Sequence, residues 1–245
     1  RTQARVVTFS TANPPASGAQ YWAGDLELDD VARASFTLHT PRGSWPVSLQ
    51  VFGEHQVANA LAAAAVAIEA GVDETTVVSG LSSHAAASAH RMDVRTRPDG
   101  VTIINDSYNA NPDSMRAGVA ALAYTASARR DATSWAVLGQ MGELGDEAVQ
   151  EHRALGAELA KYHVERLIAV GDNPNCRALG EQAAALGVRT DAVPDADSAV
   201  DLLRQKVRDG DVVLVKASNA DQLWRVAEGL HAMFDGDSRR DVEGL

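Results

Sequence analysis

The chain changes its hydrophobic rhythm near residue 92. Before that point, apolar and polar residues alternate in short runs. Tyr21 to Leu28, Ala34 to His39 and Trp45 to Phe52 each show the period of two that sets one strand face against a core. Gly, Pro and Asp turns separate them. Arg5-Val6-Val7-Thr8-Phe9 predicts a further strand near the start. In "EHQVANALAAAAVAIEA", residues 54–70, an apolar stripe of Val57, Leu61, Ala65 and Ile68 predicts a helix with Gly71 as its C-cap. Asp73 is placed to cap a second helix reaching about Leu81. The small, polar stretch "SSHAAASAHR", 82–91, predicts a linker or hinge.

From there "MDVRTR" and "VTIIN" flank Pro98-Asp99-Gly100 and predict a hairpin. Strands at Trp135–Leu138, Arg166–Val170, Arg189–Val193 and Asp211–Lys216 then alternate with helices at about 112–124, 146–161, 175–186, 195–208 and 219–234. Such alternation is the signature of βαβ units and a mainly parallel sheet covered by helices. The expected organisation is α/β: strands plus helices over 1–92, a doubly wound domain over 93–234, and a charged tail, 235–245, without a core pattern and expected to be disordered. A cleft is expected where the two domains join.

Composition narrows the function classes. The formal net charge of −11 argues against nucleic acid or an anionic membrane as the main partner. A single cysteine, Cys176, rules out a disulfide framework or a cysteine metal cluster and fits a reducing cytosol. The longest apolar run, Ala60 to Ile68, is too short to span a membrane, and no secretory signal is evident. None of the seven histidines forms an H-x-x-x-H pair, so no zinc site is expected.

Four segments and one lone arginine carry candidate chemistry. "NDSYNANPDS", 105–114, follows a strand and leads into a helix. Asn111 as N-cap, Pro112 at the first helical position and Asp113 beside the positive helix end account for its second half. Asp106, Ser107, Tyr108 and Asn109 stand at the strand's carboxyl end, where open α/β sheets bind ligands. His55, Gln56 and Asn59 gather at a helix start, where a carboxamide offers the paired donor and acceptor that match the adenine edge, or simply a solvated face. Arg91 is either a surface arginine or a bidentate phosphate contact. "VLGQMGELG", 137–145, has Gly139, Gly142 and Gly145 at the wrong spacing for a dinucleotide fingerprint, although Asp172 stands where a ribose acid would. In "VLVKASNADQLW", 213–224, Lys216 and Ser218 end a strand, and Ser218 with Asp221 predicts a capping box.

Taken in order, these segments resemble the Mur ligase family. "GEHQVANALAAAAVAIEAG" is similar to its G-x-H-N-x-x-N-A-x-A-A segment, "HRMD" with "INDSYNANPDSM" to its Arg and strand-end Asp, "VLGQMGELG" to G-D-M-x-E-L-G, and "VLVKAS" to L-V-K-G-S. Three positions depart: Gln56 replaces Asn, Gln140 replaces Asp and Ala217 replaces Gly. The resemblance implies part of a central ATP-binding domain followed by a Rossmann-like C-terminal domain. It implies ATP-dependent amide ligation through an acyl phosphate, with Mg2+, in a cytoplasmic monomer. The Y-N-A-N-P form points to the member whose acceptor is D-alanyl-D-alanine and whose acyl donor is UDP-N-acetylmuramoyl-tripeptide; other members carry Y-A-H-T-P, S-K-A-T-N or G-A-H-N-P. By motif match, Gln56 and Asn59 face adenine, Arg91 the phosphates and Asp106 the ribose. His55, Tyr108, Asn109, Asn111, Lys216 and Ser218 are candidates for nucleotide or dipeptide contacts.

The family's G-K-[ST] phosphate loop is absent. The three lysines are Lys161, Lys206 and Lys216, and none follows a glycine and precedes Ser or Thr. A C-terminal portion of a three-domain ligase, inactive alone, is therefore expected, with the Mg2+ ligands mainly elsewhere. Other readings stay open: another Mur-type or folylpolyglutamate-type ligase, a nucleotide- or NAD-binding module, or a non-catalytic domain of the same fold.

Overall fold

The computed structural model describes residues 3–12, 15, 18–84 and 90–240, with side chains through residue 232. The chain forms two compact units, Arg1–Ala87 and Ser88–Leu245.

The first unit comprises β1 (Phe9–Ser10), β2 (Tyr21–Leu28), β3 (Arg33–Thr40), β4 (Gly43–Phe52), α1 (Gln56–Glu69) and α2 (Glu74–Ser83). The sheet runs β1-β2-β3-β4; β1 is parallel to β2 and the other pairs are antiparallel. The alternation read from the sequence is realised. Tyr21, Ala23, Phe36, Leu38, Val47 and Leu49 bury one face against Val57, Leu61, Ala64 and Ile68 of α1. The strand expected over 5–9 is cut to Phe9–Ser10: Val7 packs against the core, but Val6 and Phe9 are 65% and 45% exposed. Gly71 ends α1 in the left-handed region at φ +96°. Asp73 caps α2, its carboxylate accepting from Thr76 N–H at 2.9 Å.

The expected linker, 82–91, is corrected at both ends. Ser82 and Ser83 belong to α2, while His90 and Arg91 pack within the second unit; residues 85–89 lie outside the described residues.

The second unit comprises β5 (Asp93–Thr96), β6 (Thr102–Asn105), α3 (Pro112–Ser127), β7 (Ser134–Leu138), α4 (Ala148–Lys161), β8 (Arg166–Val170), α5 (Pro174–Ala185), β9 (Arg189–Val193), α6 (Ala196–Lys206), β10 (Val212–Lys216) and α7 (Trp224–Arg240). Its sheet has the order β5-β6-β10-β7-β8-β9, all parallel except the hairpin strand β5. The chain steps outward from β6 to β9 and then returns through α6 to insert β10 between β6 and β7. Helices α6 and α7 cover one face, packing Val200, Leu203, Val226 and Leu230 on Ile103, Trp135, Val213 and Val215. Every residue of β6, β7 and β10 is buried, as the continuous apolar runs of a sheet covered on both faces require. Among the described residues no helix is long and apolar enough to cross a membrane.

The last expected helix, 219–234, differs at both ends. A short 3-10 turn, Asn219–Asp221, is followed by left-handed Gln222 at φ +51°, and α7 starts only at Trp224. Asp221 points across to the β7 loop instead of continuing a helix. At the other end α7 runs to Arg240, beyond the expected 234. Residues 241–245 lie outside the described residues.

Candidate functional site

Inserting β10 brings the carboxyl ends of β6, β10 and β7 side by side. This is where the strand order reverses, the usual ligand position in an open α/β sheet. Three of the four candidate segments end here. The Lys216 side chain, 1% exposed, runs along β10 under α3. Gly118 of α3 makes room for it, since a Cβ there would lie 3.3 Å from Lys216 Cδ. The ammonium donates to Asp106 Oδ2 at 2.5 Å and to the Asn109 carbonyl at 2.8 Å. Asp106 Oδ1 accepts from Met92 N–H at 3.2 Å, and Asp106 N–H donates to the Val215 carbonyl at 2.9 Å. Buried charges need this completeness, because an ion taken out of water without partners costs several kcal/mol. Lys216 and Asp106 therefore fix the loop over 106–109, and that loop leaves Tyr108 and Asn109 exposed.

A second clamp joins the β7 and β10 loops. Gly139 N–H donates to the Lys216 carbonyl at 3.1 Å, and Ser218 N–H to the Gln140 carbonyl at 2.9 Å. The Asp221 carboxylate accepts from Gln140 N–H at 2.9 Å and from Gln140 Nε2 at 3.1 Å. Gly139 has to be glycine: a Cβ would lie 2.6 Å from Asp221 Oδ2 and 2.8 Å from the Ala217 Cβ. Gln140 thus anchors a loop, and the amide suits Asp221 because an ionised carboxylate has no donor to offer. Burial pushes the Asp221 carboxyl above its usual range, while the hydrogen bonds from Gln140 oppose the shift. The capping box expected between Ser218 and Asp221 does not form; Ser218 makes no side-chain cap, and the Asp221 side chain faces Gln140.

His152 on α4 closes the far side of the β7 loop. Its Nε2 accepts from Met141 N–H at 2.8 Å and its Nδ1 donates to the Ala148 carbonyl at 2.6 Å. The ring is neutral in this arrangement. Burial depresses its pKa, against the raising influence of its Ala148 bond and of nearby Asp221 and Glu151. Cys176 is buried with its thiol donating to the Val170 carbonyl, and desolvation pushes it up to about 11, so it stays protonated.

Beside the first clamp, the Arg91 guanidinium lies 4.4 Å from the Tyr108 ring centroid. Asn111 caps α3: its Oδ1 accepts from Ser114 N–H at 2.8 Å while its own N–H donates to Ser114 Oγ at 3.1 Å. In the first unit His55, Gln56 and Asn59 form one exposed chain of polar contacts. Asn59 Nδ2 donates to Gln56 Oε1 at 3.0 Å, and Gln56 Nε2 lies 3.2 Å from His55 Nε2.

The structure thus gathers Arg91, Asp106, Tyr108, Asn109, Lys216 and Ser218 at one end of the second sheet, and His55, Gln56 and Asn59 at the start of α1. Lys216 points inward to its loop rather than outward, and Asn111 serves its helix. Sequence reading missed the roles of His90, Met92, His152 and Trp224. Only "HRMD" hinted at the first two. Asp172 is exposed beside Arg177, its Oδ1 3.3 Å from Nη2.

Residues 90–219 match the family described as "Mur ligase, glutamate ligase domain", and residues 1–67 match "Mur ligase middle domain". The UDP-N-acetylmuramoyl-tripeptide–D-alanyl-D-alanine ligase of Mycobacterium tuberculosis is 47% identical over 247 residues, covering 94% of this chain and 48% of that protein. The ligase of the same name from Bacillus subtilis is 30% identical over 211 residues, covering 84% of this chain and 45% of that protein. Among solved structures, MurF from Acinetobacter baumannii superposes with a TM-score of 0.75 at 30% identity, over 92% of this chain and 46% of that one. The fold is shared with a MurF ligase of Thermotoga maritima in complex with ADP, at TM-score 0.70 and 24% identity, over 90% of this chain and 48% of that one. The chain spans about half the length of the curated relatives it matches.

Proposed function

The chain belongs to the Mur ligase family, and from that premise we propose that it carries part of an ATP-dependent ligase joining D-alanyl-D-alanine to UDP-N-acetylmuramoyl-tripeptide, a step of peptidoglycan precursor synthesis in the cytoplasm. The observation that carries this reading is the meeting of three motif segments at the carboxyl ends of β6, β10 and β7. The 47% identity to a ligase of that name supports the choice of substrates.

In this reaction the γ-phosphoryl group of ATP passes to the tripeptide carboxylate, releasing ADP. The amine of the dipeptide attacks the acyl carbon, the amide bond forms, phosphate leaves and the amine gives up a proton. Gln56 and Asn59 suit the adenine edge, with carboxamides already linked, Asn59 exposed and Gln56 half-buried. Arg91 suits the phosphates, where a planar guanidinium binds oxygens in pairs. Asp106 serves the ribose side while anchored by Lys216. Tyr108 and Asn109, exposed on the loop that Lys216 holds, suit the nucleotide or the dipeptide, with Ser218 close to the second clamp. Mg2+ would be carried by the phosphates of ATP and would supply neutralisation of their charge. Such an ion needs one or two carboxylates besides phosphates and water, and no three His, Cys, Asp or Glu side chains converge on a metal cage among the described residues. The protein acts as a monomer.

Calorimetric titration with Mg·ATP and, separately, with D-alanyl-D-alanine tests the reading. Asn59→Ala and Arg91→Ala each weaken Mg·ATP binding by about tenfold, as loss of one good polar contact does, and leave the dipeptide isotherm unchanged. Binding of NAD in preference to ATP, or of glutamate in preference to the dipeptide, overturns it.

A further inference from the structure

Arg91 sits between two non-glycine residues in the left-handed region, His90 at φ +63° and Met92 at φ +50°. L side chains rarely hold this backbone, and where they do the surroundings impose it, most often at functional sites. The surroundings are specific here. The His90 imidazole stacks on the Trp224 indole at the start of α7, ring centroids 5.2 Å apart. Its Nδ1 lies 3.3 Å from Asn105 Nδ2. Asn105 Oδ1 accepts from Ser107 Oγ at 2.7 Å, which turns the amide nitrogen toward His90 and makes Nδ1 the acceptor. The His90 carbonyl accepts from Tyr108 N–H at 3.0 Å. On the other side, Met92 is buried and donates its N–H to Asp106 Oδ1. Both neighbours of Arg91 are therefore fastened to the loop over 105–108, whose Tyr108 carries the Arg91 guanidinium.

We propose that His90, Met92 and Trp224 are positioning residues that hold the Arg91 guanidinium on the Tyr108 ring, leaving its N–H edge to meet a phosphoryl group. The ligand half of this proposal rests on the reading of Arg91 as a phosphate contact. An arginine on a free surface samples many rotamers and loses that freedom on binding. One already seated on an aromatic face loses less. The left-handed backbone on both sides fixes where the Arg91 backbone stands relative to the Tyr108 loop, and the Trp224 stack ties the bracket to the segment that follows β10.

The test is an NMR experiment on the 15N-labelled chain, reading arginine Nε–Hε signals. The Arg91 signal, assigned by its disappearance in Arg91→Lys, is shifted upfield by the Tyr108 ring and returns to the ordinary position in Tyr108→Leu. Trp224→Leu and His90→Ala also move it back, with the melting transition still cooperative, whereas Trp224→Phe retains the shift because it retains the stack. His90→Asn keeps tolerance for the left-handed backbone but loses the ring, and it separates backbone strain from stacking should His90→Ala fail to fold. An Arg91 signal that stays shifted in folded Trp224→Leu and His90→Asn overturns the bracket. Added Mg·ATP moves the wild-type signal, and about fivefold more is needed in Trp224→Leu, because order then has to be created on binding. If Mg·ATP leaves the wild-type signal unmoved, the phosphate role of Arg91 falls, and with it the ligand half of the proposal; the ring-shift comparisons then decide the bracket alone.

Discussion

The two ends of β10 each bury a carboxylate, and they do so differently. At the amino end Asp211, 2% exposed, accepts from three neutral donors: Thr133 N–H at 2.9 Å, Trp135 Nε1 at 2.9 Å and Arg208 N–H at 3.0 Å. At the carboxyl end Asp106, 7% exposed, meets the Lys216 ammonium and one backbone N–H. The first arrangement is a staple between neighbouring segments, with fixed donors and no exposed polar side chain needed. The second places a full positive charge beneath a loop that presents Tyr108, Asn109 and Arg91. An ammonium has three donors and reaches two carbonyl-bearing residues at once, so it can shape a loop that no regular hydrogen-bond ladder supports. Burying charge is a stability device at one end and a way to build a surface for ligands at the other.

Substitutions separate the two. Lys216→Met is the most damaging: it leaves Asp106 buried without its counter-charge, and urea unfolding should show a loss of about 3–5 kcal/mol. The double variant Asp106→Asn with Lys216→Met should recover a large part, and a cycle showing simple additivity would mean that the pair is not coupled. Asp211→Asn should cost about 2 kcal/mol, the range for one buried donor left facing another donor. It should leave Mg·ATP and dipeptide titrations unchanged, and any change in those titrations would erase the distinction between the ends.

The smallest effect sharpens the picture of the second clamp. Asp221 has its folded pKa raised above the ordinary 3.8, so the folded chain holds this proton more tightly than the unfolded chain. Its contribution to stability is fully present below 3.8 and is lost as pH rises through the raised value. Gln140→Asp adds a second carboxylate at this place. It should cost about 1 kcal/mol near neutral pH and extend the loss with rising pH, by removing a donor and adding a like charge. Asp221→Asn in that background restores a donor–acceptor pair and should flatten the profile measured by thermal unfolding from pH 4 to about 8. A profile of Gln140→Asp that is already flat would show that the amide is not the anchor.

Much of this was readable from residues close together in sequence. The strands over 21–28, 166–170 and 189–193 fall where the apolar patterns put them. Gly71, Asp73 and Asn111 act as the caps their types suggest. Each rests on periodicity or a hydrogen bond spanning at most four residues, which a local stretch of chain determines. The misreadings share the opposite cause. Ser218 and Asp221 have the spacing of a capping box, yet Asp221 bonds Gln140, 81 residues away. His90 and Arg91 look like linker, yet Trp224 and Tyr108 hold them.

The sequence by itself determined that the second unit is built of alternating strands and helices, which residue types stand at the strand ends, and that the chain carries the Mur ligase motifs. Only the tertiary structure decided that β10 lies between β6 and β7. That insertion brings Lys216 onto Asp106 across 110 residues and Gln140 onto Asp221. Side-chain periodicity reports which face of a strand is buried. It carries no information about which strand lies alongside, and that choice follows from packing the helices on both faces of the completed sheet.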